Sequence, residues 1–215
     1  MKLIDVALYL VYIATYIIVV PIGVGFYFYK NLPKTLKILL LGLCVVLLLD
    51  FLLLFFSLKD TNTFLYIFSV VDVLMLAWVY SLEMSHKKLS IATIITAFLI
   101  VVLIAFDAFF ISGLKNIGFS NAIEKTFILF VAIYYLTQLF QENIESNLLK
   151  LPMFWLSIGV ITFDLVGSFD IFNSAIMNYS QNLYLQYYLL LTIANIFMYG
   201  CFAYSFWLNR FNSNL

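Results

Sequence analysis

Charge is scarce in this chain: Asp, Glu, Lys and Arg together make up 10% of its 215 residues. Soluble domains carry about a quarter, so a surface built for water is excluded. Cysteine occurs twice, Cys44 and Cys201, each inside an apolar run. That leaves no disulfide framework and no cysteine metal motif. The only histidine, His86, lies in the loop "MSHKK", so no span carries the imidazole base of a serine hydrolase. The last apolar stretch, "LYLQYYLLLTIANIFMYGCFAYSFW", has no lysine. A retinal Schiff base needs a lysine amine in the bundle, and retinal is excluded on that ground. Net charge is zero and no basic block exists, so direct nucleic-acid binding is not expected. P-loop, zinc and haem signatures are missing. "PIGVG" at 21–25 lacks the helix start of a nucleotide loop and reads instead as a place where the first span kinks and another helix approaches. No cofactor is expected.

What the chain has in abundance is oil. Hydrophobic residues make up 65% of it, in runs of about twenty, the length that crosses a hydrocarbon core of ~30 Å as a helix. The fold class is all-α, a polytopic membrane protein. Seven spans are predicted near 6–29, 36–58, 63–83, 90–112, 121–141, 151–175 and 183–208. The connections are short and polar, for example "KNLPK", "KDTN" and "MSHKK". Residues 1–208 therefore form a single seven-helix bundle and 209–215 a short tail. The opening "MKLIDVALYLVYIATYIIVV" lacks an A-x-A-like cleavage site and reads on as the first span. One side collects Lys30, Lys34, Lys37, Lys87, Lys88, Lys150 and Arg210, the other Lys2, Lys59, Lys115 and Lys125. The positive-inside rule then puts the N-terminus out and the tail in the cytoplasm. The expected location is the cell inner membrane, multi-pass, with the lipid bilayer as first partner.

The acids need explaining. Asp50, in "LLLDFLLLFF", Asp72 and Asp164 fall near the middle of their spans, and Asp107, Glu124 and Asp170 nearer the outer ends. Glu142 and Glu145 belong to a cytoplasmic loop. No lysine or arginine is expected deep enough to neutralise the central three. An acid at mid-membrane costs roughly 2.5–3.5 kcal/mol on insertion scales and normally faces the bundle interior. Helical spacing agrees. Tyr184, Tyr188, Thr192, Asn195 and Tyr199 form one polar stripe on the seventh span. Ser69, Asp72, Tyr80 and Glu83 share a face of the third span, Ser157, Asp164, Gly167 and Ser168 a face of the sixth. Thr93, Thr96 and Asp107 do so in the fourth, and Tyr9, Tyr12, Tyr16 and Gly23 in the first. Two readings stay open: the acids are helix-to-helix glue, or Asp50, Asp72, Asp164 and Asn195 form a proton or cation site. In the second reading Asp107, Glu124, Tyr188, Thr192 and Tyr199 line the pathway.

"FDLVGSFD" at 163–170 invites comparison with intramembrane aspartyl proteases. Phe163 stands before Asp164, however, Phe169 replaces a glycine, and the two aspartates fall on different helical faces. Lipid hydrolases of the lysoplasmalogenase type share the size and the bundle aspartates, without an ordered motif to match. The stretch "LYLVYIATYIIVVPIGVGFYFYKNLPKTLKILLL", followed by "FLYIFSVVDVLMLAWVYS", resembles a family of small bacterial seven-helix membrane proteins of unassigned activity. They also have an internal proline in the first span, a short lysine-rich loop, and acids near the middle of spans two and three. The resemblance covers most of the chain through hydropathy and two acidic positions. It implies a stand-alone bundle working beside a separately encoded partner, such as a signalling kinase. Accessory transmembrane proteins of RNA-guided CRISPR nucleases are similar in size and hydrophobicity, which implies a bacterial defence role as an alternative.

The leading expectation is thus a non-enzymatic accessory or signalling protein, with a protein partner at the cytoplasmic loops near Lys34, Lys87 and Lys88. The alternatives are a proton or cation channel or transporter and, third, a membrane lipid hydrolase.

Overall fold

The structure is a computed structural model that describes residues 10, 13–56, 61–112, 114, 117–142, 147–169 and 180–210. Among them there is no strand, and seven helices follow one another. They are α1 (Ile13–Tyr27), α2 (Lys34–Phe56), α3 (Thr61–Glu83), α4 (Lys87–Ile111), α5 (Gly118–Glu142), α6 (Pro152–Gly167) and α7 (Gln181–Leu208). Helix is the form that satisfies every backbone N–H within one segment, as a hydrocarbon solvent demands. Five of them, α2, α3, α4, α5 and α7, are long and apolar enough to cross a membrane; α1 and α6 are shorter. The expected sixth span, 151–175, runs past the end of α6, and residues 170–179, Asp170 among them, lie outside the described residues.

Local chemistry sets the breaks. Pro152 occupies the first turn of α6, where a missing N–H costs nothing. Pro21 lies inside α1 and cannot donate to the Ile17 carbonyl. That carbonyl accepts from Val20 at 2.9 Å instead, and the helix is interrupted at Ile17 and Ile18. The loosening expected of "PIGVG" is present. The α4 helix ends in a wider π turn, Asp107–Ile111, closed by the Ser112 N–H on the Asp107 carbonyl at 2.8 Å.

Helices consecutive in the chain run antiparallel. At one end Thr35 of α2 donates to Glu83 of α3, and Ser90 of α4 donates to the Ser81 carbonyl of α3 at 2.7 Å. Asn209, after α7, donates to the Asn31 carbonyl after α1. At the other end Tyr187 of α7 donates to the Val166 carbonyl of α6 at 3.4 Å. The first of these ends carries the exposed Lys34, Lys87 and Lys88 and is called the lysine end. Packing closes α1, α2, α3, α5, α6 and α7 into a ring of six, each against the next. The remaining helix, α4, lies outside the ring in the groove between α3 and α5. Its Ile95, Phe98, Leu99 and Val102 are all exposed. So much contiguous apolar surface belongs against lipid.

The half of the bundle at the lysine end is solid. Leu36, Leu39, Val79, Tyr80, Leu156 and Phe206 are essentially inaccessible there. The α6–α7 pair packs most closely, because a Cβ on Gly159 would lie 2.8 Å from the Cβ of Cys201 and 3.2 Å from the Met198 backbone. Gly200, on the same pair, has nothing within 4 Å of its Cβ position. Gly159→Ala is therefore expected to destabilise the purified protein by about 1–3 kcal/mol, an overpacking effect. Gly200→Ala is expected to be neutral or to stabilise by up to ~1 kcal/mol through helix propensity. Thermal melting in detergent checks the pair, and equal effects would refute this α6–α7 geometry.

Candidate functional site

The other half of the bundle holds a cavity of about 420 Å³. That is a size typical of small-molecule pockets. All six ring helices contribute to its wall and α4 contributes nothing. The α7 stripe faces it: Tyr188, Thr192, Asn195 and Tyr199 all line the cavity. Spacings of three and four residues on one helix produce this alignment. Asp50 from α2, Asp72 from α3, Glu124 from α5 and Asp164 from α6 line it as well. The exposed rim includes Leu65 and Tyr188.

At the centre of the acids stands a residue that the sequence reading placed at the outer surface. The Lys125 ammonium lies 2.6 Å from Glu124 Oε1, 3.7 Å from Asp72 Oδ2 and 3.8 Å from Asp164 Oδ1. The expectation that no lysine reaches the central acids is thereby corrected. Lys125 is the eighth residue of α5, about 10 Å along the axis at 1.5 Å per residue. Its four-carbon stem extends it further inward. Position along a span therefore misjudged where its charge sits, because a four-carbon stem carries the ammonium well away from its own Cα. Two neighbours accommodate that stem: the Phe163 ring centroid is 4.9 Å from the ammonium, and Gly167 leaves room, since a Cβ there would lie 3.2 Å from the Lys125 Cγ. The retinal exclusion loses its premise at the same time, because the bundle does contain a lysine amine. That amine is ion-paired with three carboxyls from three helices.

Magnitudes explain why the cluster holds together. Opposite charges 4 Å apart attract by about 4 kcal/mol at an effective dielectric of 20. A lone charge at mid-membrane costs roughly 2.5–3.5 kcal/mol. Pairing and burial are thus of the same size, and an unpaired partner would tip the balance. One ammonium cannot match three carboxylates, and Asp50, near enough to repel Asp72, makes a fourth acid. Four carboxyls thus face one ammonium. Side-chain exposure grades across the cluster, from 29% at Asp72 and 12% at Lys125 to 2% at Asp164 and 1% at Glu124. Ser69 donates to Asn121 Oδ1 at 3.0 Å. Asp164 is the least satisfied member, its Oδ2 buried without a hydrogen-bond partner among the described residues. Among those residues no three of the His, Cys, Asp and Glu side chains converge as ligands of one metal ion.

Asp107 is elsewhere. Because α4 stands outside the ring, its carboxylate points between α3 and α5. There it accepts from Tyr66 at 3.0 Å, Ser112 at 2.7 Å and Ser120 at 2.5 Å. It does not line the cavity. Three hydroxyl donors make it a fastener of the end opposite the lysines, which is the glue reading for this one acid. Tyr16 and Gly23, expected on an inward face of α1, are exposed, while Tyr9 and Tyr12 lie outside the described residues. Lys34, Lys87 and Lys88 are exposed at the far end from the cavity.

No protein-family model, no curated protein and no solved structure matches this chain. Lys125→Met, which strands the carboxylates, is expected to destabilise the protein by about 3–5 kcal/mol, the cost of breaking a buried pair. Adding Glu124→Gln should recover most of the loss. Chemical or thermal unfolding in micelles checks both, and a mild effect of the single variant would deny the ammonium its central role.

Proposed function

We propose that this protein is a proton- or cation-linked membrane transporter of the simplest build, one bundle around one charged binding cavity. The observation that supports it is the Lys125 cluster, a surplus of carboxylates over ammonium placed against a cavity walled by all six ring helices. Intramembrane ionisable groups facing a cavity are the usual machinery of proton and ion pathways. The packing favours a transporter over an open channel. Below the cavity, Tyr80 donates to Ser157 at 3.4 Å and the Tyr80 and Tyr135 rings meet at a tilt, their centroids 5.5 Å apart. Passage through that plug needs the helices to shift, so the cavity is accessible from one half at a time. In this reading α1 and α6 complete a seven-span topology with the N-terminus out. Burial of Lys125 sharpens the charge bias, because it removes one of the four basic residues that the sequence assigns to the other side, against seven at the lysine end. The accessory reading rests on a separate feature, the exposed Lys34, Lys87 and Lys88. They mark the cytoplasmic end as the place for a protein partner, and a partner there is compatible with transport.

Two measurements test this. Proteoliposomes of wild type are expected to show proton or cation flux that falls to background in Asp72→Asn and Asp164→Asn and weakens in Asp50→Asn. Asp107→Asn, outside the ring, should keep it. Background flux in every sample, with the proteins folded, would sink the transport reading. A reporter fused after Leu215 should be active only if cytoplasmic, and a periplasmic signal would reverse the topology.

A further inference from the structure

The cavity already holds one alkylammonium, the side chain of Lys125, and it keeps acceptors for another. Glu124 takes the shortest contact with Lys125, 2.6 Å, whereas Asp72 and Asp164 stand off at 3.7 and 3.8 Å. Neither of these two carboxyls is saturated by the lysine. Asp164 is only 2% exposed, and its Oδ2 has no donor among the described residues. A buried acceptor left without a donor costs about 1–3 kcal/mol, so a ligand N–H placed there recovers that loss. Resting on the transport reading above, we infer that the transported or sensed species is a small organic amine in its protonated form. Its N–H donors reach Asp72 and Asp164, and its carbon body lies along the Tyr188 and Tyr199 wall of α7.

Three features select this class over other cations. A bare metal ion wants several converging oxygens, and no such group exists among the described residues. A quaternary ammonium has no N–H to offer Asp164. A volume of about 420 Å³ far exceeds an inorganic ion and suits an amine with a carbon chain. Phe163 over the Lys125 ammonium at 4.9 Å displays the same recognition internally, a cation carried on an aromatic face. Asp50, at the same wall and within electrostatic reach of Asp72, provides the attraction that draws a cation inward.

The test uses the full chain in nanodiscs and four chloride salts at equal ionic strength: n-butylammonium, putrescine, tetramethylammonium and sodium. The amines bearing N–H should raise the melting temperature saturably and give calorimetric binding, and the other two should not. Asp164→Asn should weaken butylammonium binding about tenfold, the loss of one charge-assisted hydrogen bond, while Lys88→Ala leaves it unchanged. Should Asp164→Asn fail to fold, Asp72→Asn supplies the same comparison at a more exposed position. Equal responses to all four salts, or no response to either amine, overturn the amine assignment. Carboxylate-dependent flux without amine binding sinks this inference and leaves the transport reading standing. Amine binding with background flux does the reverse and makes the cavity a receptor site.

Discussion

The attraction between one ammonium and three carboxyls organises the open half of this bundle. Asp72, Glu124 and Asp164 come from α3, α5 and α6, which ring adjacency alone would leave to slide past one another on greasy surfaces. In lipid the hydrophobic effect gives helices little reason to associate. A shared charge that none of them can solvate alone therefore fixes their register strongly. Among the described residues Lys125 is the group that ion-pairs with all three acids. The cluster is also unbalanced, since its carboxyls outnumber its ammonium.

The contrast with Asp107 makes the point. That acid is only 1% exposed, and both its oxygens accept from hydroxyls, three donors in all. It sits where α4 leans on α3 and α5, next to the π turn that ends α4. Two buried carboxylate environments in one small bundle thus differ in satisfaction and not in burial. The satisfied one staples an outer helix to the ring; the unsatisfied one faces the cavity.

The architecture separates these tasks along the membrane normal. Close packing at the lysine end, with Gly159 letting α6 and α7 meet, makes a rigid base. The cavity occupies the opposite half, where the acids replace apolar side chains and packing is looser. An exposed α4 gives the bundle a flank dedicated to lipid.

Much of this was legible in the residues. Apolar runs located seven helices among the described residues, five of them long enough to span a membrane, and four members of the α7 stripe, Tyr188, Thr192, Asn195 and Tyr199, line the cavity while Tyr184 does not. Proline chemistry located the break in α1. These succeed because lipid burial and helix period act on contiguous sequence. What the sequence could not decide is which helix stands outside the ring, and with it that Asp107 leaves the cavity. Nor could it decide that Lys125, read as a surface charge from its place in α5, turns inward. Both depend on lateral packing between segments far apart in the chain. A long flexible cation takes the position of the acids it meets, and only tertiary structure brings those acids together.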